Sequence, residues 1–145
     1  MSYWENKDLY YKLLKEYCNF EVSSIDFERK FLQIVKEDED ALHEKSKDWE
    51  RRFDIELQVE RRESKISQEE FCKRWNDLWG ITDNMNKLCD ILDRVFCACD
   101  CFDPNISDSE ANPPLDLSER LFREEVLSLY HELETFINKT RVNDV

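Results

Sequence analysis

The run Ile66-Ser67-Gln68-Glu69-Glu70-Phe71-Cys72-Lys73-Arg74-Trp75-Asn76-Asp77-Leu78-Trp79-Gly80 contains a complete set of instructions for one helix. Ser67 is an N-cap, whose side-chain oxygen takes an amide that the first turn leaves unpaired. Glu70 stands at the third helical position, where a carboxylate closes a capping box, and Ile66 and Phe71 form a hydrophobic staple around the cap. Phe71, Trp75, Leu78 and Trp79 then recur at the spacing of one buried stripe. Gly80 is the natural residue to end it, because a helix often leaves through a left-handed position. The same device opens forty-four residues earlier. There Val22 precedes the N-cap Ser23, Asp26 is the acid, Phe27 completes the staple, and Phe31, Ile34 and Val35 continue the stripe.

Four further segments are placed by the same criteria. Tyr3 to Tyr17 carries Leu9, Tyr10, Leu13, Leu14 and Tyr17. Glu39 to Glu63 is highly charged, with a narrow seam of Leu42, Trp49, Phe53 and Leu57, and predicts a long, mostly exposed helix. Asp83 to Cys99 offers Met85, Leu88, Leu92, Val95, Phe96 and Cys99 to a core. Phe102-Asp103-Pro104-Asn105 stops that helix, since proline and the residue before it resist continuation. A polar loop from Ile106 to Leu115 follows. Leu117 and Ser118 then start a last helix with Phe122, Val126, Leu129, Tyr130, Leu133, Phe136 and Ile137 on its apolar face. One glycine in 145 residues argues against turn-rich β architecture. The expectation is an all-α, single-domain bundle over residues 1–145, with five to six antiparallel helices, one of them long and charged.

Charge is distributed unevenly. The net charge is −13, and between Leu88 and Leu117 seven acids face a single base, Arg94. The acids are Asp90, Asp93, Asp100, Asp103, Asp108, Glu110 and Asp116. Crowded like charges oppose compaction. They serve either as a solvated, solubilising turn or as a surface for a basic partner. This sign also opposes binding to nucleic acid or anionic membranes. No run of 18 apolar residues is present, and the first residues lack the basic and apolar regions of a signal peptide. A cytoplasmic protein is expected.

Candidate chemistry is sparse. His43 and His131 each precede a glutamate but lack the second histidine of a zinc-binding pair. Cys97, Cys99 and Cys101 are two apart, unlike zinc-binding pairs. Cys18, Cys72 and Cys89 read as small buried hydrophobes, and all six thiols are expected reduced. No phosphate loop can form with one glycine, and no calcium loop pattern occurs. The expectation is a binding protein with no catalytic residues, no metal and no cofactor.

Several stretches resemble colicin D immunity proteins. They are Tyr11 to Tyr17, Val22 to Phe31, the cap of Ser64 to Arg74, the helix end Phe102-Asp103-Pro104-Asn105, and the closing helix with Glu125-Val126-Leu127-Ser128-Leu129. The charged segment Glu39 to Glu63 is longer than a minimal member needs. Immunity proteins of contact-dependent growth inhibition systems are equally compatible. The resemblance implies a helical bundle in the bacterial cytoplasm that binds a cognate ribonuclease toxin cutting transfer RNA, in a 1:1 complex. The seven acids would then stand in the toxin's basic cleft where RNA phosphates lie, with Asp100 and Asp103 at the centre. Asp116 is also placed to serve the last helix. Two other readings fit the same residues: a helical adaptor working through segment 39–63, and a nucleic-acid mimic that inhibits a DNA-binding protein.

Overall fold

The computed structural model describes residues 2–49, 55–80 and 82–143, with the side chains of 2, 42, 43, 45–49, 55, 56, 78, 79 and 141–143 outside the description. The described residues form an all-α fold of seven helices: α1 (Ser2–Glu5), α2 (Lys7–Cys18), α3 (Ser24–Trp49), α4 (Ile55–Arg62), α5 (Gln68–Trp79), α6 (Asp83–Cys101) and α7 (Glu119–Asn143). None of them is long and apolar enough to cross a membrane.

Two boundaries differ from the sequence expectation. The first predicted helix is split at Asn6, whose side-chain amide donates to the carboxylate of Asp38 on α3. Its carbonyl accepts the amides of Leu9 and Tyr10, at 3.0 and 3.2 Å, and so starts α2. The second and third predicted segments are not separate at residues 36–39. No Gly or Pro stands there, and α3 runs through to Trp49. Further along the charged segment, Ile55–Arg62 form α4, of which Leu57 is buried. The seam residues Leu42 and Trp49 lack described side chains, and Phe53 lies outside the described residues.

The caps largely follow the sequence. Ser23 Oγ accepts the amide of Asp26 at 3.2 Å, and Ser67 Oγ that of Glu70 at 3.1 Å. Gly80 ends α5 at φ +65°. The expected capping box at Ser67 is only half made, because the Glu70 carboxylate turns along the helix to Arg74 Nε, 3.0 Å away. The reciprocal pair forms instead at Thr82 of α6, whose hydroxyl accepts the amide of Met85 while its own amide faces the Met85 sulfur.

The main core gathers residues from α2, the first half of α3, α6 and α7. At one end Tyr17, Phe27, Phe102 and Phe122 stack, with Phe102 and Phe122 ring centres 4.3 Å apart and Tyr17 and Phe27 4.5 Å apart. At the other, Tyr11 meets Tyr130 and Tyr10 bonds to Asp38. These pairs run in opposite chain order, so α2 lies antiparallel to both α3 and α7. On α6, Ile91 and Ala98 are buried, whereas the predicted core residue Phe96 is 37 % exposed. The buried stripe passes through Val95 and Cys99, and Phe96 is one residue, about 100° of helix rotation, off it. α4 and α5 pack on each other as a hairpin.

All six cysteines are free thiols. Cys89 and Cys99 are buried and Cys18 partly so, but Cys72 is exposed, contrary to its reading as a core residue. Burial pushes the thiols of Cys18 and Cys89 up to about 11.

Candidate protein-binding surface

The acidic residues lie along the outer face of α6 and in the connection from Cys101 to Ser118. That connection has no helix, yet it is fixed at both ends. Phe102 leaves α6 in extended conformation (φ −73°, ψ 126°) and pairs with Leu117 in a short parallel bridge. The amide of Leu117 donates to the carbonyl of Cys101 at 2.8 Å, and the amide of Asp103 to that of Leu117 at 2.9 Å. Phe102 and Leu117 point into the core. The bridge thereby brings Asp103 and Asp116 beside the last turn of α6, where Asp100 stands. The Cys101 thiol lies near two of these acids, Asp100 and Asp116. Burial raises its pKa first, and the negative fields of Asp100, Cys97 and Asp116 add to it.

Between the ends the chain folds on itself. Asp103 Oδ1 accepts the amide of Asn105 at 2.9 Å, and Ser107 Oγ donates to Glu110 at 2.6 Å. The carbonyl of Asn112 accepts the amides of both Leu115 and Asp116, at 2.9 and 3.1 Å. Asp108 reaches across to the start of α7, accepting Ser118 Oγ at 2.5 Å and Arg120 Nε at 2.8 Å. Those two donors, Ser118 first, hold its carboxyl below the usual carboxylate range. Ser118 in turn accepts the amide of Leu121 at 3.3 Å, the expected N-cap bond.

The seven predicted acids are all exposed, but they fall into two groups. Asp90 pairs with Arg94 at 3.0 Å, and the same guanidinium grips Glu132 of α7 with two bonds of 2.9 Å. Asp93 accepts the Tyr3 hydroxyl at 2.9 Å. With Asp103, Asp108 and Glu110, five acids therefore have work inside the chain. The carboxylates of Asp100 and Asp116 make no hydrogen bond or ion pair among the described residues. Sequence reasoning missed the long-range ties of Asp93 to Tyr3, Asp108 to Arg120 and Arg94 to Glu132, because the partners are 90, 12 and 38 residues apart in the chain. It also missed Asp38, which is 4 % exposed and carries no signal among the many acids around it.

Two surface grooves accompany these features. One of about 730 Å³ lies between α6 and α7, with Ile91 and Phe136 as its floor and Arg94, His131 and Lys139 around it. The other, about 640 Å³, lies in the α4–α5 hairpin against Phe71 and Trp75. The ring of His131 packs on Tyr130, with centroids 5.6 Å apart. Among the described residues no group of three His, Cys, Asp or Glu side chains is arranged to hold a metal ion.

No family model matches the sequence, and neither a curated protein nor a solved structure matches it.

Proposed function

We propose that this protein is an immunity-type inhibitor, acting in the bacterial cytoplasm by binding a cognate ribonuclease toxin and occupying its basic RNA cleft. The observation that carries this reading is the grouping of Asp100, Asp103 and Asp116 by the Phe102–Leu117 bridge. Two of these three carboxylates have no partner among the described residues. Unpaired carboxylates on a fixed backbone are suited to meet lysines and arginines, because little ordering remains to oppose the contact. Asp90, Asp93, Asp108 and Glu110 contribute the surrounding negative field, which steers a basic partner and sets the salt dependence of its approach. The mode of action is protein–protein binding, with no catalysis, cofactor or contact to RNA by this chain.

The resemblance to colicin D immunity proteins and the clustering of charge support the same conclusion from separate grounds. The adaptor reading draws on a different region, segment 39–63, whose α4 part lines the groove of the α4–α5 hairpin. The two are separated by one experiment in cells expressing the product of the gene directly upstream, tested as the candidate toxin. A folded variant with Asp100, Asp103 and Asp116 changed to Asn is expected to lose protection, since truncating one side of a buried charged pair costs about 2–5 kcal/mol. Full protection by that variant would overturn the role of the three acids in the cleft, and failure of the parent itself to protect would sink the toxin-inhibitor reading and leave the adaptor reading.

A further inference from the structure

Three helices of this chain end through the same left-handed turn. α5 places Gly80 there (φ +65°), α4 places Ser64 (φ +56°), and α2 places Phe20 (φ +62°). The hydrogen bonds of the last two correspond. Phe20 donates to the carbonyl of Tyr17 at 3.1 Å and Glu21 to that of Glu16 at 2.9 Å, while Ser64 donates to Arg61 and Lys65 to Glu60, both at 3.0 Å. The position favours glycine because a Cβ crowds the neighbouring backbone, and a bulky aromatic there is an outlier. Solvation is a second cost, for the Phe20 ring is 77 % exposed, more than any other large hydrophobic side chain among the described residues.

Internal packing does not account for this residue. The ring contacts Arg123, whose guanidinium lies 4.5 Å above it. Arg123 is already held without it: the guanidinium stacks on Tyr17 at 4.2 Å, donates to the Tyr17 carbonyl at 3.1 Å and stands 3.6 Å from Glu119. The relation therefore runs the other way, with a fixed guanidinium setting the direction of an exposed ring. Its place is also informative. Arg123 follows Phe122, which stacks on Phe102, and Phe102 is bridged to Leu117 between Asp103 and Asp116. Phe20 thus stands at the end of the bundle that carries the three grouped acids.

We infer that Phe20 is the apolar anchor of the protein-binding face, entering an apolar pocket on a partner whose surrounding surface is basic. This rests on the function proposed above. Strained positions that persist without an internal reason are found at functional sites, and exposed aromatics that become buried carry much of an interface's energy. The occupant is basic because carboxylates share this end of the molecule, and a second copy of a chain of charge −13 would be repelled.

Phe20→Gly removes the ring and relieves the turn, so it separates binding from folding. Its melting temperature should equal or exceed that of the parent, while its affinity for the protein encoded directly upstream, measured by calorimetry, should fall by about tenfold or more. Phe20→Asn, which also tolerates the turn, should behave alike. Binding by the parent with unchanged affinity in both variants overturns the anchor alone. A melting temperature several degrees lower in both overturns it too, by making the ring part of the fold. Absence of binding by the parent overturns the toxin-inhibitor reading and this inference with it.

Discussion

Phe122 on α7 and Phe71 on α5 hold the same place in their helices, four residues after an N-cap serine, yet their surroundings are opposite. Phe122 is fully buried, with the rings of Phe102, Tyr17 and Phe27 at 4.3, 5.9 and 6.0 Å. Phe71 is only partly buried, against Trp75 of its own helix at 5.9 Å and Arg61 of α4 at 4.8 Å. One local instruction has produced the centre of a core in one region and the flank of a hairpin in the other. A cap and a staple decide where a helix starts and which face is apolar. What that face meets is decided by elements up to a hundred residues away.

The largest effect expected from this contrast is on global stability. Phe122→Ala should cost about 3–5 kcal/mol, the range for emptying a packed aromatic site. Phe71→Ala should cost about 1 kcal/mol, since a half-exposed ring forfeits only part of its burial. Urea unfolding followed by circular dichroism measures both. Equal losses would mean that the hairpin is part of the same cooperative core, and the contrast between the regions would be lost.

This contrast also marks how far the sequence could be read. Ser23, Ser67, Gly80, Ser118 and the Phe102–Pro104 helix stop were legible because each acts on amides within four residues. The main apolar stripes were legible because a 3.6-residue period is a property of one segment. Phe96 was misplaced because Val95 and Phe96 are adjacent, and periodicity alone does not choose between neighbours. The break at Asn6 was hidden because its reason, Asp38, lies on another helix. The grouping of Asp100, Asp103 and Asp116 was visible only as a charge density. Its geometry depends on a bridge between Phe102 and Leu117, for which no residue pattern exists.

A smaller effect tests the hairpin by itself. Ser67→Ala removes the bond to the Glu70 amide and should cost about 1 kcal/mol locally. Because α5 packs mainly on α4, the loss should appear as faster hydrogen exchange in the first turn of α5, with the amides of α7 unchanged. Faster exchange throughout α7 would show that the cap supports the whole molecule.

The smallest effect concerns the connection from Cys101 to Ser118, which sharpens the comparison because it lacks helix and is nevertheless tied to the core. Asp108 is the side-chain tie, and Ser118 and Arg120 hold its pKa below the usual carboxylate range. The sign follows from linkage. A carboxylate whose folded pKa is depressed stabilises the fold above its unfolded pKa, about 3.9, and that contribution is lost as pH falls through the lower folded value. Acidification should therefore release Asp108 from Ser118 only below the pH at which ordinary aspartates protonate. A carbon-detected NMR titration would read this directly, and an Asp108 midpoint at or above 3.9 would refute it. Asp108→Asn keeps a weaker acceptor for Ser118 and loses the charge facing Arg120. It should shift the Ser118 and Leu121 amide resonances while leaving those of Asp103 and Leu117 in place, because the backbone bridge does not depend on the carboxylate. If the Asp103 and Leu117 signals move as well, the bridge is not the anchor of this surface, and the geometry of the three grouped acids depends on Asp108 instead.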